Sequence, residues 1–385
     1  MPRFPSIPRR RLVAVLAALA VVALGAGVAL GASDSAPKPP HRPLAQALLS
    51  ALQSKPVDGV SARIRFTNNL LPAGSLPKGT TLPFGASAEG RIWLRRDGRL
   101  RLDVHSDAGD AEVTYDGARL RVYDAGSNTV STFALPAPAP ASAPGGGPGS
   151  LGGLVAKLGP LMSMLNVSGA IPSSTAGRPT YTVRVSPKDD GGLLGAAEVA
   201  FDADHGVPLR AAVYQHGESA PVLELAATEV DYGAVSDADL AARPHPGAKV
   251  VDVDPDRGAP RAAADAVTGV AAVRRRLGFP LAAPAEVAGL PRRSVHLIRS
   301  GRDAGALAVY GRGLGTILVF ESEAGKDSAL LRGLKLPQVN IDGRTGTELA
   351  TALGTVVTFE RAGVRYTVAG SVPPVAAENA ARSLR

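Results

Sequence analysis

The sequence contains no cysteine, and it is poor in aromatic residues and in lysine. Without cysteine the chain has no disulfide, no cysteine metal site and no lipidated cysteine that would anchor it as a lipoprotein. Aromatic residues make up 4% of the chain, and no basic run is interleaved with them as in a nucleic-acid-binding surface. These absences argue against nucleic acid as a partner.

The net charge of +8 has two interpretations. Only eight of the 42 basic residues are lysine, and arginine accompanies abundant Ala, Gly, Pro and Val, a composition typical of GC-rich coding. Coding bias together with a basic N-terminus is one explanation of the charge. The other is a surface for nucleic acid or anionic lipid.

The chain also lacks the motifs that carry catalysis. It has neither a G-x-S-x-G elbow nor an H-E-x-x-H pair, and its six histidines are scattered. The glycine-rich run at 311–315 lacks the Lys-Ser/Thr of a phosphate loop and precedes a predicted strand, which indicates a hairpin turn. Asp202, Asp204 and His205 indicate a polar turn rather than a cation site. We therefore expect no enzymatic activity, no metal and no cofactor.

One long apolar run lies near the N-terminus. Residues 12–30 carry no charged or strongly polar side chain, and four arginines precede them. The run is close to the roughly 20 residues that a helix needs to cross a bilayer, and its basic flank should stay in the cytoplasm. Residues 1–32 are therefore either a signal-anchor or a cleaved signal peptide. Both place the bulk of the chain outside: as a single-pass, N-in protein of the cytoplasmic membrane, or as a secreted one.

The remainder is long enough for two domains. A Pro-rich tether precedes them, and a low-complexity stretch of Pro, Ala and Gly, which we expect to be disordered, interrupts the first domain. The predicted segments are the tether 33–43, a first domain 44–253 with the insertion 136–153, a linker 254–266 and a small C-terminal α+β domain 267–385.

Period-two alternation dominates the first domain. After a short amphipathic helix at 44–53, runs such as 60–66 and 99–105 alternate apolar and polar residues, as half-buried strands do. Asp97-Gly98 and Asp116-Gly117 predict tight hairpins between neighbouring strands. The pattern therefore predicts an antiparallel meander whose apolar face must be covered.

These strands resemble a known family. GRIWLRRDGRLRLDV, VTYDGARLRVYDAGSNTVSTFALP and AEVAFDADHGVPLRAAVY resemble the LolA/LolB/RseB-type superfamily of periplasmic lipoprotein-binding domains. GVRYTVAGSVPPVAAENAARSL resembles the smaller second domain of RseB-like regulators and related sporulation-type membrane proteins. The resemblance implies an α+β fold with a strongly curved antiparallel sheet, a half-open barrel, wrapped around an apolar cavity with covering helices.

The candidate binding residues follow from this resemblance and from the apolar segment 154–167. That segment is either an ordinary core helix or a mobile lid over a lipid-binding cleft, and its methionines suit an adaptable surface. The only tryptophan either lines the cavity or packs beneath a helix. The predicted cavity or lid residues are Trp93, Leu154, Leu158, Leu161, Met162 and Leu165.

Two functions are compatible with the sequence. The first is a membrane-tethered binding protein that holds a lipid or a lipoprotein acyl chain in the apolar cavity. The second, implied by the C-terminal domain, is an RseB-like regulator that binds an anti-sigma factor or a similar membrane partner in envelope signalling. A tether disfavours a shuttle, because an anchored carrier cannot diffuse between membranes.

Overall fold

A computed structural model describes residues 36–70, 87–107, 109–134, 165–188, 191–253, 267–300, 303–325 and 336–384. The predicted membrane helix, the insertion 136–153 and the linker 254–266 lie outside these ranges. Within them, no helix combines the length and the apolar character needed to cross a membrane.

The described part of the first predicted domain contains helix α1 and one large sheet. Helix α1, Leu44–Gln53, has the bounds that the sequence predicts. The strands are β1 Gly59–Asn68, β2 Ala88–Arg95, β3 Leu100–Ser106, β4 Ala111–Tyr115, β5 Arg119–Asp124, β6 Thr129–Ala134, β7 Leu165–Val167, β8 Ile171–Thr175, β9 Arg178–Pro187, β10 Leu194–Asp202, β11 Pro208–Gln215, β12 Pro221–Tyr232 and β13 Lys249–Val253. A one-turn helix α2, Asp237–Leu240, follows β12.

Two meanders meet at the centre of this sheet. The strand order is β13-β6-β5-β4-β3-β2-β1-β12-β11-β10-β9-β7, with β8 also paired to β9. Tight turns at Gly98 and Gly117 (φ +86° and +101°) join β2 to β3 and β4 to β5, where a positive φ favours glycine. The curved, mostly antiparallel sheet with a covering helix confirms the predicted fold class.

Strand β13 is an exception to the antiparallel pattern, because it pairs with β6 in parallel. The chain leaves β12 near the middle of the sheet, crosses one face through residues 233–248, and returns at the outer edge beside β6. Such a crossover brings together residues about 120 positions apart. The sequence pattern of neighbouring hairpins gave no indication of it.

The second predicted domain contains a smaller sheet and two helices. Helices α3, Val270–Arg274, and α4, Pro374–Arg382, accompany eight described strands in the order β14-β15-β16-β17-β21-β20-β19-β18. The strands are β14 Glu286–Val287, β15 Leu290–Ser300, β16 Asp303–Tyr310, β17 Ile317–Glu323, β18 Gln338–Ile341, β19 Arg344–Thr351, β20 Gly354–Arg361 and β21 Val364–Gly370. Helix α4 buries Ala377, Ala380 and Ala381 in a hydrophobic core that it shares with the strands of this smaller sheet.

Glu348 on β19 is buried, and few contacts offset the cost of burying its carboxylate. Its Oε2 has no hydrogen-bond partner among the described residues. Burial, and then the neighbouring carboxylate of Glu378, raise the pKa of Glu348. A raised pKa in the folded state means that stability falls as the pH rises through that value.

Replacement of Glu348 by glutamine should therefore stabilise the protein at neutral pH. We expect the free energy of unfolding to increase by about 1 kcal/mol, because an uncharged amide replaces a buried, repelled carboxylate. Urea unfolding at several pH values measures this, and the gain should vanish where the carboxyl is protonated in both states. Glu286→Gln, at an exposed site, is the control. An equal gain in both variants would contradict this explanation.

Candidate binding surfaces

The large sheet has one apolar face, which is where the sequence places a cavity. Ile92 on β2 pairs with Ala62 on β1 and with Leu102 on β3, and all three are buried on this face. Phe133 on β6 and Leu209 on β11 extend the same cluster across the sheet. We call this cluster the apolar face. Its buried members are Val60, Ala62, Ile64, Ala88, Ile92, Leu102, Val104, Val113, Leu120, Val122, Phe133, Leu209 and Ala227.

Helix α1 covers one end of the sheet. Ala47 and Ala51 pack against Tyr181 on β9 and Phe201 on β10, which are paired neighbours. The Tyr181 hydroxyl donates a hydrogen bond to the carbonyl oxygen of Pro40 at 2.7 Å, which fixes the chain just before the helix. The alternation of small and large side chains in this contact lets the helix lie close to the strands.

Trp93 lies on the opposite face of the sheet. It pairs with Ser61 and Arg101, whereas Ile92 beside it points into the apolar face. The guanidinium carbons of Arg91 and Arg101 lie 5.1 and 5.4 Å from its ring centroid. This cation–π arrangement is partly buried and polar, so its placement does not support Trp93 as a cavity residue.

Most of the predicted lid lies outside the described residues. This holds for Leu154, Leu158, Leu161 and Met162. Leu165 is described, and it begins strand β7, where it pairs with Pro187 of β9 and is half-buried. The last three residues of the predicted segment are therefore strand, because the edge of β9 offers them backbone hydrogen-bond partners.

A buried ionic network occupies the polar face near Trp93. Arg101 donates to both carboxylate oxygens of Asp103, at 2.9 and 3.0 Å, and lies 3.1 Å from an oxygen of Glu112. Arg101 also donates to the carbonyl oxygen of Ala241 at 2.8 Å. Arg243 pairs with Asp103 at 2.8 Å. The network therefore fastens the crossing segment 233–248 to the sheet.

A groove of about 390 Å³ adjoins this network. Tyr123 and His245 stack in it with ring centroids 3.4 Å apart, and the exposed Val250 of edge strand β13 also lines it. Arg119, Arg121 and Arg243 line the groove together with the acidic Glu112 and Asp252. Charges of both signs therefore share the groove, which gives it no clear preference for an anion or a cation.

A second polar cluster spans β9 to β12. Arg210 bridges Glu198 at 2.5 Å and Glu224 at 3.1 Å, and the Tyr214 hydroxyl donates to Glu198 at 2.7 Å. Burial opposes ionisation of Glu198, but its hydrogen bonds from Arg210, Tyr214 and Arg184 outweigh this and lower its pKa. Burial raises the pKa of Glu224, since Arg210 offsets only part of the cost.

Several hydrogen bonds to one side chain, Asp202, stabilise the turn at residues 202–206. Asp202 is fully buried and accepts hydrogen bonds from the amides of Asp204 and His205, at 2.9 and 3.0 Å. It also accepts from the Tyr232 hydroxyl at 2.8 Å and from Arg178 at 3.2 Å. The Asp202 carboxylate therefore stabilises the turn, and the turn is the polar one that the sequence predicts.

The two domains touch through backbone groups. The amide of Leu193, after the β9–β10 loop, donates to the carbonyl oxygen of Ser371 at 2.8 Å, and Ala352 donates to that of Leu70 at 3.1 Å. Gly191 and Gly315 also meet: a Cβ added to Gly315 would lie 2.1 Å from the Gly191 carbonyl oxygen. The contact therefore requires that Gly315 lack a side chain, whereas a Cβ on Gly191 would make ordinary contacts of 3.4 and 3.6 Å with Gly315.

Comparison with known proteins gives matches of limited similarity. Residues 78–143 match a family described as a predicted periplasmic protein (DUF2092). The MucA/MucB complex structure from Pseudomonas aeruginosa has 18% identity and a TM-score of 0.44, covering 89% of this chain and 98% of that chain. A LolA superfamily protein from Nitrosomonas europaea has 9% identity and a TM-score of 0.24, covering 52% and 99%.

An uncharacterised conserved protein from Thermus thermophilus has 12% identity and a TM-score of 0.33, covering 54% of this chain and 98% of that chain. No characterised protein matches the chain by sequence. The matched structures include a LolA superfamily protein, which is the type of protein that the sequence motifs resemble.

Proposed function

We propose that this chain is an extracytoplasmic regulatory binding protein, anchored in the cytoplasmic membrane by residues 12–30. It holds the extracytoplasmic segment of a membrane partner of the anti-sigma type, and it is not an enzyme. The observation that carries the proposal is the backbone contact between the second domain and the end of the large sheet.

A second domain is useful for binding a polypeptide and unnecessary for binding an acyl chain. Each buried methylene contributes roughly 0.8 kcal/mol, so an apolar cavity alone can retain a lipid. A peptide segment brings amide groups whose burial is costly unless they find hydrogen-bond partners. The large sheet supplies an apolar face, and the edge strands of the two sheets, such as β7, β14 and β18, supply backbone groups for such a segment.

The membrane tether supports the same proposal. An anchored protein meets membrane partners at high effective concentration, since both are confined to one surface. It cannot carry cargo between membranes. The pairing of MucB with MucA(peri) in a matched structure is a complex of the kind proposed here, although the proposal rests on this chain's own domain contacts.

Binding of a lipid or of an acylated lipoprotein is the second candidate function. The extended apolar face of the large sheet favours it. The two functions make opposite demands on the second domain: a lipid bound to the apolar face should not depend on the Gly191–Gly315 contact, whereas a peptide held by both domains should.

A cellular test follows if a sigma and anti-sigma gene pair neighbours this gene. Deletion of the gene should change transcription from the promoter of that sigma factor, and the full chain should restore it. We expect Gly315→Ala to fail in restoration, because its Cβ would clash with the Gly191 backbone and separate the domains. Gly278→Ala, at an open position, should restore it fully. An unchanged reporter after deletion would contradict the proposal.

A further inference from the structure

The outer side of helix α1 carries an exposed apolar stripe. Ala45, Leu49 and Leu52 are spaced by four and three residues, so they share one side of the helix. Leu49 is 54% exposed and Leu52 is 41% exposed. The buried residues of the helix, Ala47 and Ala51, lie on the other side, against the sheet.

The surroundings of this stripe are basic. Residues 36–57 contain no aspartate or glutamate, whereas Lys38, Arg42 and Lys55 are all exposed. Arg42 lies along the helix, where it donates to the Ser50 hydroxyl at 3.2 Å. The nearest carboxylates in the sequence are Asp34 before the segment and Asp58 after it. Ser54 donates a hydrogen bond to the carbonyl oxygen of His205, in the turn that also contains Asp204.

Exposed apolar side chains that are flanked in the sequence by cations suit an anionic lipid surface. Interfacial helices bury an apolar stripe at the headgroup boundary and gain from attraction between lysine or arginine and anionic lipids. A polypeptide partner would also cover leucines, but a flank without carboxylates specifically favours a surface of one charge sign.

The sequence brings this helix close to a bilayer. Only residues 31–43 separate the predicted membrane helix from α1, and they are rich in proline. A fully extended polyproline segment of that length spans roughly 40 Å. Because the tether confines the helix, even a weak affinity for lipid is enough to keep it on the surface.

We propose that helix α1 docks onto the anionic outer surface of the cytoplasmic membrane through Leu49 and Leu52, with Lys38, Arg42 and Lys55 on the lipid headgroups. Docking fixes the orientation of the large sheet relative to the bilayer. The proposal does not depend on the identity of the protein partner.

The absence of cysteine makes a site-specific test direct. Leu52→Cys in the full chain carries a single fluorophore, and Leu318→Cys on β17, where the leucine is 39% exposed, is the matched control. Both variants are reconstituted in vesicles of phosphatidylcholine with phosphatidylglycerol. Quenching by nitroxides on the lipid acyl chains is compared with quenching by iodide in the water.

We expect the lipid nitroxides to quench the label at position 52 several-fold more than the label at position 318. Vesicles of phosphatidylcholine alone, or the added changes Lys38→Gln and Lys55→Gln, should reduce that difference. Leu49→Cys should repeat the result, and far-ultraviolet circular dichroism should show each variant folded, since the replaced side chains are exposed.

Two results would overturn the proposal. Equal iodide quenching at both positions would place the helix in water. Protection from iodide that appears only at high protein-to-lipid ratio, without quenching from the lipid, would assign the stripe to contact with a second copy of the chain.

Discussion

Replacement of Arg101 by methionine should lower the free energy of unfolding by about 3–5 kcal/mol, because it leaves buried carboxylates without their partner. Arg101, Asp103 and Glu112 are each less than a tenth exposed, and the guanidinium bridges the other two. Equilibrium urea unfolding, followed by circular dichroism, measures the effect.

Arg63→Met is the matched control for this change. Arg63 also projects from a strand of the large sheet, but its pair with Glu229 is largely exposed, and such pairs contribute about 0–1 kcal/mol. Adding Asp103→Asn to Arg101→Met should recover part of the loss, since one stranded charge is removed. Equally small changes in the free energy of unfolding for Arg63→Met and Arg101→Met would show that the network does not stabilise the fold.

Asp202→Ala should cost about 3 kcal/mol or more, because several hydrogen bonds to a buried carboxylate are lost together. The Tyr232 hydroxyl, the Arg178 guanidinium and two backbone amides all donate to it. Asp204→Ala, at an exposed position of the same turn, should change stability by about 0.5 kcal/mol at most.

The Asp202 contribution should depend on pH. Burial opposes its ionisation, but the hydrogen bonds from Tyr232 and from the backbone outweigh burial and lower its pKa. A lowered pKa gives stability that is present above the ordinary aspartate value of about 4 and lost as the pH falls through the folded-state value. The difference between wild type and Asp202→Asn should therefore shrink in acid. A constant difference would contradict this account.

Local patterning predicted much of this fold. Helix α1 has the predicted bounds, strand β1 contains the predicted run 60–66, and strand β3 overlaps the run 99–105, since period-two and helical alternation report directly which side chains are buried. Strand β13 was missed, because its parallel partner β6 lies about 120 residues earlier and leaves no local signature.

The sequence pattern also did not predict the polar network around Arg101, because its members are far apart in the chain. Arg101 and Asp103 alternate with apolar residues and mark a polar side of β3, yet their partners Ala241 and Arg243 come from a distant segment. The same limit applies to Trp93: alternation shows that it faces away from Ile92, and only the full sheet shows which face is apolar. The Gly191–Gly315 contact likewise requires both domains.

If both domains together hold a polypeptide segment of a membrane partner, that segment should bind the purified protein. Calorimetric titration of the full chain in lipid nanodiscs with the extracytoplasmic segment of the neighbouring anti-sigma factor measures this binding. We predict saturable one-to-one binding, weakened more than tenfold by Gly315→Ala and unchanged by Gly278→Ala. Absence of binding to wild type, together with an acyl-chain probe that binds all three proteins equally, would contradict the claim and favour a lipid-holding protein.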